Sequence, residues 1–234
     1  MRLAFLLLAF IPPASSAAEL LIACASDLAP TQPALAKAFL QSTGHSVRFT
    51  TGASGMLARQ IENGAPFDLF LSANRAYIDD LARHSAIRSN SIRIYAIGRL
   101  ALYPQKSLED LRDPKIRHIA IPNPKHAPYG VAAQQALEKA GLWKLLQPKI
   151  VYAENVRQAL QYAESGNADA VLTSHTLLQN KGTLLPESLH APIIQAAAIT
   201  ANTRQPALAT RFLDFLITGP GAAILRQNGL SPPR

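Results

Sequence analysis

The sequence predicts an α/β protein of two lobes, each a mostly parallel sheet flanked by helices. Three observations predict it. Short apolar β-like runs alternate with helical segments along the chain, the pattern of parallel strands covered on both faces. The alternation falls into two βαβα blocks, near 20–90 and 116–180. Two stretches, near 97–104 and 190–194, lie between the blocks and read as the chain passing out to a second lobe and back.

Composition excludes several classes. With 48% hydrophobic and 16% charged residues over 234 positions, the chain has the apolar content of a folded domain and too little charge for disorder. One cysteine excludes a disulfide scaffold. Beyond the first residues no apolar stretch approaches the ~20 residues of a membrane span. Only 6% is aromatic, so an aliphatic core is expected.

Residues 1–18 read as an export signal. Arg2 supplies a positive end, 3–11 an apolar run, Pro12 and Pro13 a break, and Ala14-Ser15-Ser16-Ala17-Ala18 small residues for cleavage. Leu21-Ile22-Ala23-Cys24 invites comparison with a lipoprotein box, which would tether the chain at Cys24. Glu19 interrupts that pattern, and a lone Cys within an apolar run belongs more naturally to a buried strand.

The elements follow from periodicity and stop signals. The runs 20–25, 47–51, 67–71, 116–121, 150–152, 168–173 and 193–200 read as strands, and 92–103 as one long β-like stretch. Helices are expected over 31–42, 56–63, 131–140 and 156–165, each followed by a glycine (44, 64, 141, 166) as a C-terminal stop. Shorter helices fit 77–84, 107–111, 174–179 and 221–227. The segment 206–218 is the most amphipathic, with Leu208, Phe212, Phe215 and Leu216 on one face.

Catalytic signatures are missing. There is no Gly-x-Ser-x-Gly elbow, no Gly-rich dinucleotide or P-loop motif, and no i, i+4 pair among the six histidines. Basic residues are spread evenly, which argues against nucleic acid and fits a diffuse field that steers small anions.

The strand-to-helix turns carry the functional signal. Ala25-Ser26-Asp27, Gly52-Ala53-Ser54-Gly55, the stretch from Pro122 to Gly130, and Ala153-Glu154-Asn155 each end a strand and open a helix. First-turn N–H groups lack intrahelical acceptors and, with the macrodipole, favour an anion. Either serine alone is equally an ordinary N-cap. Four such turns at the carboxyl ends of parallel strands are more specific, since open α/β sheets bind ligands there.

At these residues the sequence resembles a family. Ala23-Cys24-Ala25-Ser26, Gly52-Ala53-Ser54-Gly55, Leu57-Ala58-Arg59-Gln60-Ile61-Glu62, the block from Gly64-Ala65-Pro66-Phe67-Asp68 to Asn74, and Glu154-Asn155-Val156-Arg157 resemble the periplasmic molybdate-binding proteins of ABC transporters. The resemblance runs from about residue 20 to the end. It implies a type II periplasmic binding protein that is no enzyme, with signal peptide 1–18, lobe 1 over 19–100 and 192–234, and lobe 2 over 101–191. It implies molybdate or tungstate as ligand, no cofactor, no metal beyond that inside the oxyanion, an inner-membrane permease as partner, and a monomer in the periplasm. By position its ligand serines fall on Ser26 and Ser54, and its backbone donors on Tyr129 and Val156. Two places depart. Where some members carry a ligand tyrosine this chain has Thr173, which would reach through water or leave the role to the Tyr129 phenol. Asp27 follows the ligand serine, where a carboxylate would repel a dianion unless it points away, and is expected to cap the first helix, with a role in the site as the alternative.

Overall fold

In the computed structural model, which describes residues 18–179 and 181–233, the two blocks of the sequence become two five-stranded sheets covered by helices. Of the export segment only Ala18 lies among these residues. Strand β1 (Glu19–Ala25) is buried from Ile22 onward, as its continuous apolar run requires, and Cys24 is wholly inside it. Helix α1 (Gln32–Thr43) follows a 3-10 turn (Ser26–Thr31) and stops at Gly44, whose left-handed backbone (φ 73°) suits a residue without Cβ. Then come β2 (Ser46–Gly52), α2 (Ser54–Glu62), β3 (Leu69–Ser72), α3 (Arg75–Arg83) and β4 (Arg93–Gly98).

The second block repeats the plan with β5 (Leu100–Tyr103), β6 (Ile119–Pro122), α4 (Pro128–Lys139), α5 (Trp143–Leu146), β7 (Ile150–Ala153), α6 (Val156–Glu164), β8 (Ala170–Ser174), α7 (His175–Leu178) and the two-residue β9 (Thr183–Leu184). The chain then returns through β10 (Ile193–Ile199), α8 (Pro206–Ile217) and α9 (Pro220–Gln227). The stretch expected as one strand over 92–103 is two strands in different sheets, separated at Arg99. Helix α4 starts at Pro128, three residues earlier than its periodicity suggested. Proline is acceptable at N1, where no N–H is needed.

The sheets have the same construction. Their orders are β2-β1-β3-β10-β4 and β7-β6-β8-β5-β9. In each, the first three strands are parallel, and the fourth is antiparallel to both its neighbours. Four strands of every five therefore run one way, which makes each sheet mostly parallel. The reversed strand, β10 or β5, is in each case the first one laid down after the chain passes from one sheet to the other.

One pair of carboxylates shows the repetition at atomic level. Asp68, just before β3, accepts from the Leu21 N–H (2.8 Å) and the Thr203 hydroxyl (2.6 Å). Asp169, just before β8, accepts from the N–H groups of Arg117 (2.8 Å) and His118 (2.9 Å). Each ties the start of its block's third strand to the start of the first, fixing the level at which all the strand-to-helix turns emerge. Backbone bonds charge-assisted in this way are among the stronger ones in a protein. These acids hold backbone and stand apart from the turns themselves.

The cores are mainly aliphatic, as composition implies, with one exception. On the first sheet Phe39 packs edge-on against Phe212 (5.1 Å between centroids) and Phe215 (5.4 Å), with Phe49 beside Phe212 (6.3 Å). This knot locks α8 to α1, so the C-terminal helix closes the core begun by the N-terminal one. Phe212→Ala should lower unfolding free energy by about 3–5 kcal/mol, read by urea denaturation. A loss under about 1 kcal/mol would contradict this packing role.

Candidate functional site

The carboxyl ends of β1, β2, β6 and β7 all open onto one small cavity. Lobe 1 lines it with Ala25, Ser26, Gly52, Ala53, Ser54 and Ala73, and lobe 2 with Ala127, Pro128, Tyr129, Asn155 and Val156. No ionisable side chain apart from the Tyr129 phenol is among them.

Each helix start leaves one backbone donor unused. In α2 the N-cap is Ala53, which has no side chain to offer, and the first three N–H groups are those of Ser54, Gly55 and Met56. Gly55 donates to His126 O (3.0 Å) and Met56 to Ala53 O (3.0 Å), so the Ser54 N–H is left over. In α4 Pro128 has no N–H, and Gly130 donates to Ala127 O (2.9 Å), so the Tyr129 N–H is left over. In α6 the Asn155 side chain accepts from Arg157 (3.0 Å) and Gln158 (3.1 Å), so the Val156 N–H is left over. First-turn donors without intrahelical acceptors are ordinary. Here the residues that keep one are those sequence reasoning selected, and all three line the same cavity.

The serines add hydroxyls. Ser54 is 1% exposed, and its Oγ accepts from the Ala73 N–H (3.0 Å). With that lone pair engaged, its hydrogen is available to donate. Ser26 stands at the start of the 3-10 turn after β1 and is 4% exposed. Neither hydroxyl is hydrogen-bonded to an imidazole, carboxylate or amine among the described residues.

Tyr129, Thr173 and Asp27 are placed differently from expectation. The Thr173 hydroxyl donates to Val156 O (3.0 Å), and Thr173 is absent from the cavity wall. It braces the first residue of α6 and so positions the Val156 donor. The Tyr129 phenol is turned from the cavity: it donates to Asp27 Oδ2 (3.0 Å) and accepts from Gln195 Nε2 (3.2 Å). Asp27 caps neither the 3-10 turn, whose N-cap is Ala25, nor α1, whose N-cap is Thr31; its Oδ2 accepts from Gln195 of the same lobe and from Tyr129 across the cleft. Sequence reasoning missed Gln195 altogether. Its signal was a single polar residue inside the apolar run of β10, which needs a buried partner.

This buried cluster has an unusual charge state. Asp27 is 1% exposed, and neither its Oδ1 nor Gln195 Oε1 has a partner. Burial lifts the Asp27 carboxyl from 3.8 to about 6, against the opposing effect of the bonds from Gln195 and Tyr129. Burial, and then the Asp27 charge, raise the Tyr129 phenol well above its ordinary value, and it remains a neutral donor. An acid raised in the folded state contributes stability below its unfolded value of 3.8 and loses it as pH rises through about 6. Asp27→Asn should therefore gain on the wild type by about 2 kcal/mol as pH rises from 4 to 7, read by urea unfolding at both values. A difference independent of pH would contradict a buried ionising carboxyl.

Comparison with known proteins places this geometry in context. Residues 20–231 match the family described as bacterial extracellular solute-binding protein. The molybdate-binding protein ModA of Rhodobacter capsulatus is 32% identical over 227 residues, covering 92% of this chain and 89% of that protein. The structure of the Azotobacter vinelandii periplasmic molybdate-binding protein superposes with a TM-score of 0.87 at 34% identity, covering 92% of this chain and all of that one. The sulfate-binding protein SubI of Mycobacterium tuberculosis shares the fold at 17% identity, with a TM-score of 0.78 over 92% of this chain and 87% of its own. With its paired sheets, its cleft and a family match spanning nearly all the described residues, this chain belongs to the bacterial extracellular solute-binding proteins.

Proposed function

We propose that this protein captures molybdate, and tungstate with it, outside the cytoplasm and delivers it to an inner-membrane ABC permease. The observation that carries the reading is the convergence of three unused N–H donors, on Ser54, Tyr129 and Val156, with two serine hydroxyls in one cavity. Its wall has no cationic side chain to supply a counter-charge. A tetrahedral dianion offers four oxygens to such a set. Fixed dipoles in a desolvated site stabilise charge without reorganising. The R. capsulatus and A. vinelandii relatives are molybdate-binding proteins, which supports the same ligand.

In this reading Ser26 and Ser54 donate through their hydroxyls, and Tyr129 and Val156 through their backbones. Thr173 and Asp27 act behind them, Thr173 by bracing α6 and Asp27 by holding the Tyr129 side chain. Lobe 1 comprises 19–100 with 192–234, and lobe 2 comprises 101–191. Molybdate and tungstate are preferred to the smaller sulfate because donors fixed on two lobes cannot all reach a smaller ion. Residues 1–18 direct export to the periplasm, leaving a monomer with an excess of seven positive charges (22 basic minus 15 acidic residues) that steers anions to the cleft. The protein performs no chemistry on its ligand, and no cofactor takes part.

Ser54→Ala should weaken molybdate binding by about 1–3 kcal/mol, the worth of a hydrogen bond to a charged group. Isothermal calorimetry on the mature chain reads this directly. An unchanged affinity would remove Ser54 from the site, and binding of sulfate in preference to molybdate by the wild type would overturn the ligand.

A further inference from the structure

The two lobes touch beside the cavity through a bond that neither serine nor any free donor makes. The Gly55 N–H, one residue into α2, donates to the carbonyl of His126 in the turn that enters α4 (3.0 Å). Ser54 immediately precedes this donor, and Tyr129 lies three residues after this acceptor. One backbone bond therefore sets the separation of two of the three free N–H groups.

There is no room at this point for a side chain. A Cβ on residue 55 would meet His126 Cα and O at 3.0 Å each, and the Tyr77 hydroxyl at 2.8 Å. Tyr77 belongs to α3 of the same lobe and ends in a ring that can turn. The His126 backbone is held in place. His126 and Ala127 donate to Asn123 O (3.2 and 2.9 Å), and Asn123 donates to Ala153 O (2.7 Å). The His126 imidazole Nε2 lies 3.1 Å from Glu154 O. The turn over 123–127 is thus tied to the end of β7 and the start of α6, and cannot retreat without moving the Val156 donor too. Residue 55 is also not glycine for the sake of its torsion angles, since it sits in regular helix and its φ is not positive. Glycine inside a helix is less stable than alanine. Within the first lobe only the movable Tyr77 hydroxyl would crowd an alanine here, whereas the second lobe presents a backbone that cannot give way.

Resting on the oxyanion reading above, we propose that Gly55 is the positioning residue for cleft closure. Its bare backbone lets α2 dock on the 123–127 turn of the opposite lobe, and a side chain there holds the lobes apart and weakens anion capture. The His126 contact exists only between the lobes, so with the Tyr77 hydroxyl removed a side chain at residue 55 burdens only the closed form.

The test uses Tyr77→Phe as background, which removes the one hydroxyl that crowds residue 55 within its own lobe. Calorimetric molybdate affinity and the ligand-free melting temperature are measured for the wild type, Tyr77→Phe, and Tyr77→Phe with Gly55→Ala. The double variant should bind roughly 10- to 100-fold more weakly than Tyr77→Phe, the effect of overpacking confined to the closed state. Its ligand-free melting temperature should be equal or higher. Equal affinity in the two variants would overturn the proposal, as would a weaker affinity matched by a fall in the ligand-free melting temperature or by failure to fold. If the wild type itself binds no molybdate, the oxyanion reading falls first and this inference falls with it.

Discussion

Three backbone N–H groups, on Ser54, Tyr129 and Val156, belong to residues that line one cavity and have no acceptor among the described residues. Leaving a buried donor unpaired is expensive, so a chain that aims three of them together is built for an acceptor from outside. Most of the local structure around the cavity serves this arrangement. Asn155 caps the second and third donors of α6 and leaves the first. Pro128 opens α4 with no donor at N1, and Ala53 and Ala127 are N-caps too short to compete with a ligand. Stability that better caps would have given is forgone at α2 and α4, two of the three helix starts that line the cavity.

The repeated block explains how four turns reach one place. Asp68 and Asp169 set equivalent strands at equivalent heights, and the common strand order puts the first two turns of each block side by side. Facing one block against the other then brings the turns together from two sides. The bridges between the blocks are correspondingly specific. On one side Gly55 donates to His126, and on the other Tyr129 is held between Asp27 and Gln195. The second bridge leaves Asp27 Oδ1 and Gln195 Oε1 without partners, so it ties the lobes at a cost in buried polarity.

Much of this was legible in the sequence, for physical reasons. Strand β1 is an unbroken apolar run and α8 a clear 3.6-residue stripe, so burial dictates both. The serine turns were legible because small residues between a strand and a helix have few other uses. The start of α4 was obscured by Pro128 and Gly130, which look like breakers. Yet proline suits N1, and Gly130 is required because a Cβ there would lie 2.1 Å from Pro122 O. The separation of 92–103 into β4 and β5 depends on which sheet each half joins, which no local pattern encodes. The same holds for the cluster at Asp27, whose partners lie 102 and 168 residues away. Thr173 was singled out for ligand contact and Asp27 for helix capping or a site role; in the structure the Thr173 hydroxyl donates to Val156 O and Asp27 accepts from the Tyr129 phenol.

The most direct measurement is a thermal-shift series on the mature chain with molybdate, tungstate, sulfate and phosphate at equal concentration. A ligand at about 1,000 times its dissociation constant stabilises by ~4 kcal/mol, which for a chain of this size raises the melting temperature by roughly 8–16 °C. Capture by uncharged donors spaced for a large tetrahedral dianion predicts such a rise with molybdate and tungstate and little with sulfate or phosphate. No rise with any of the four anions, or equal rises with all, would contradict it.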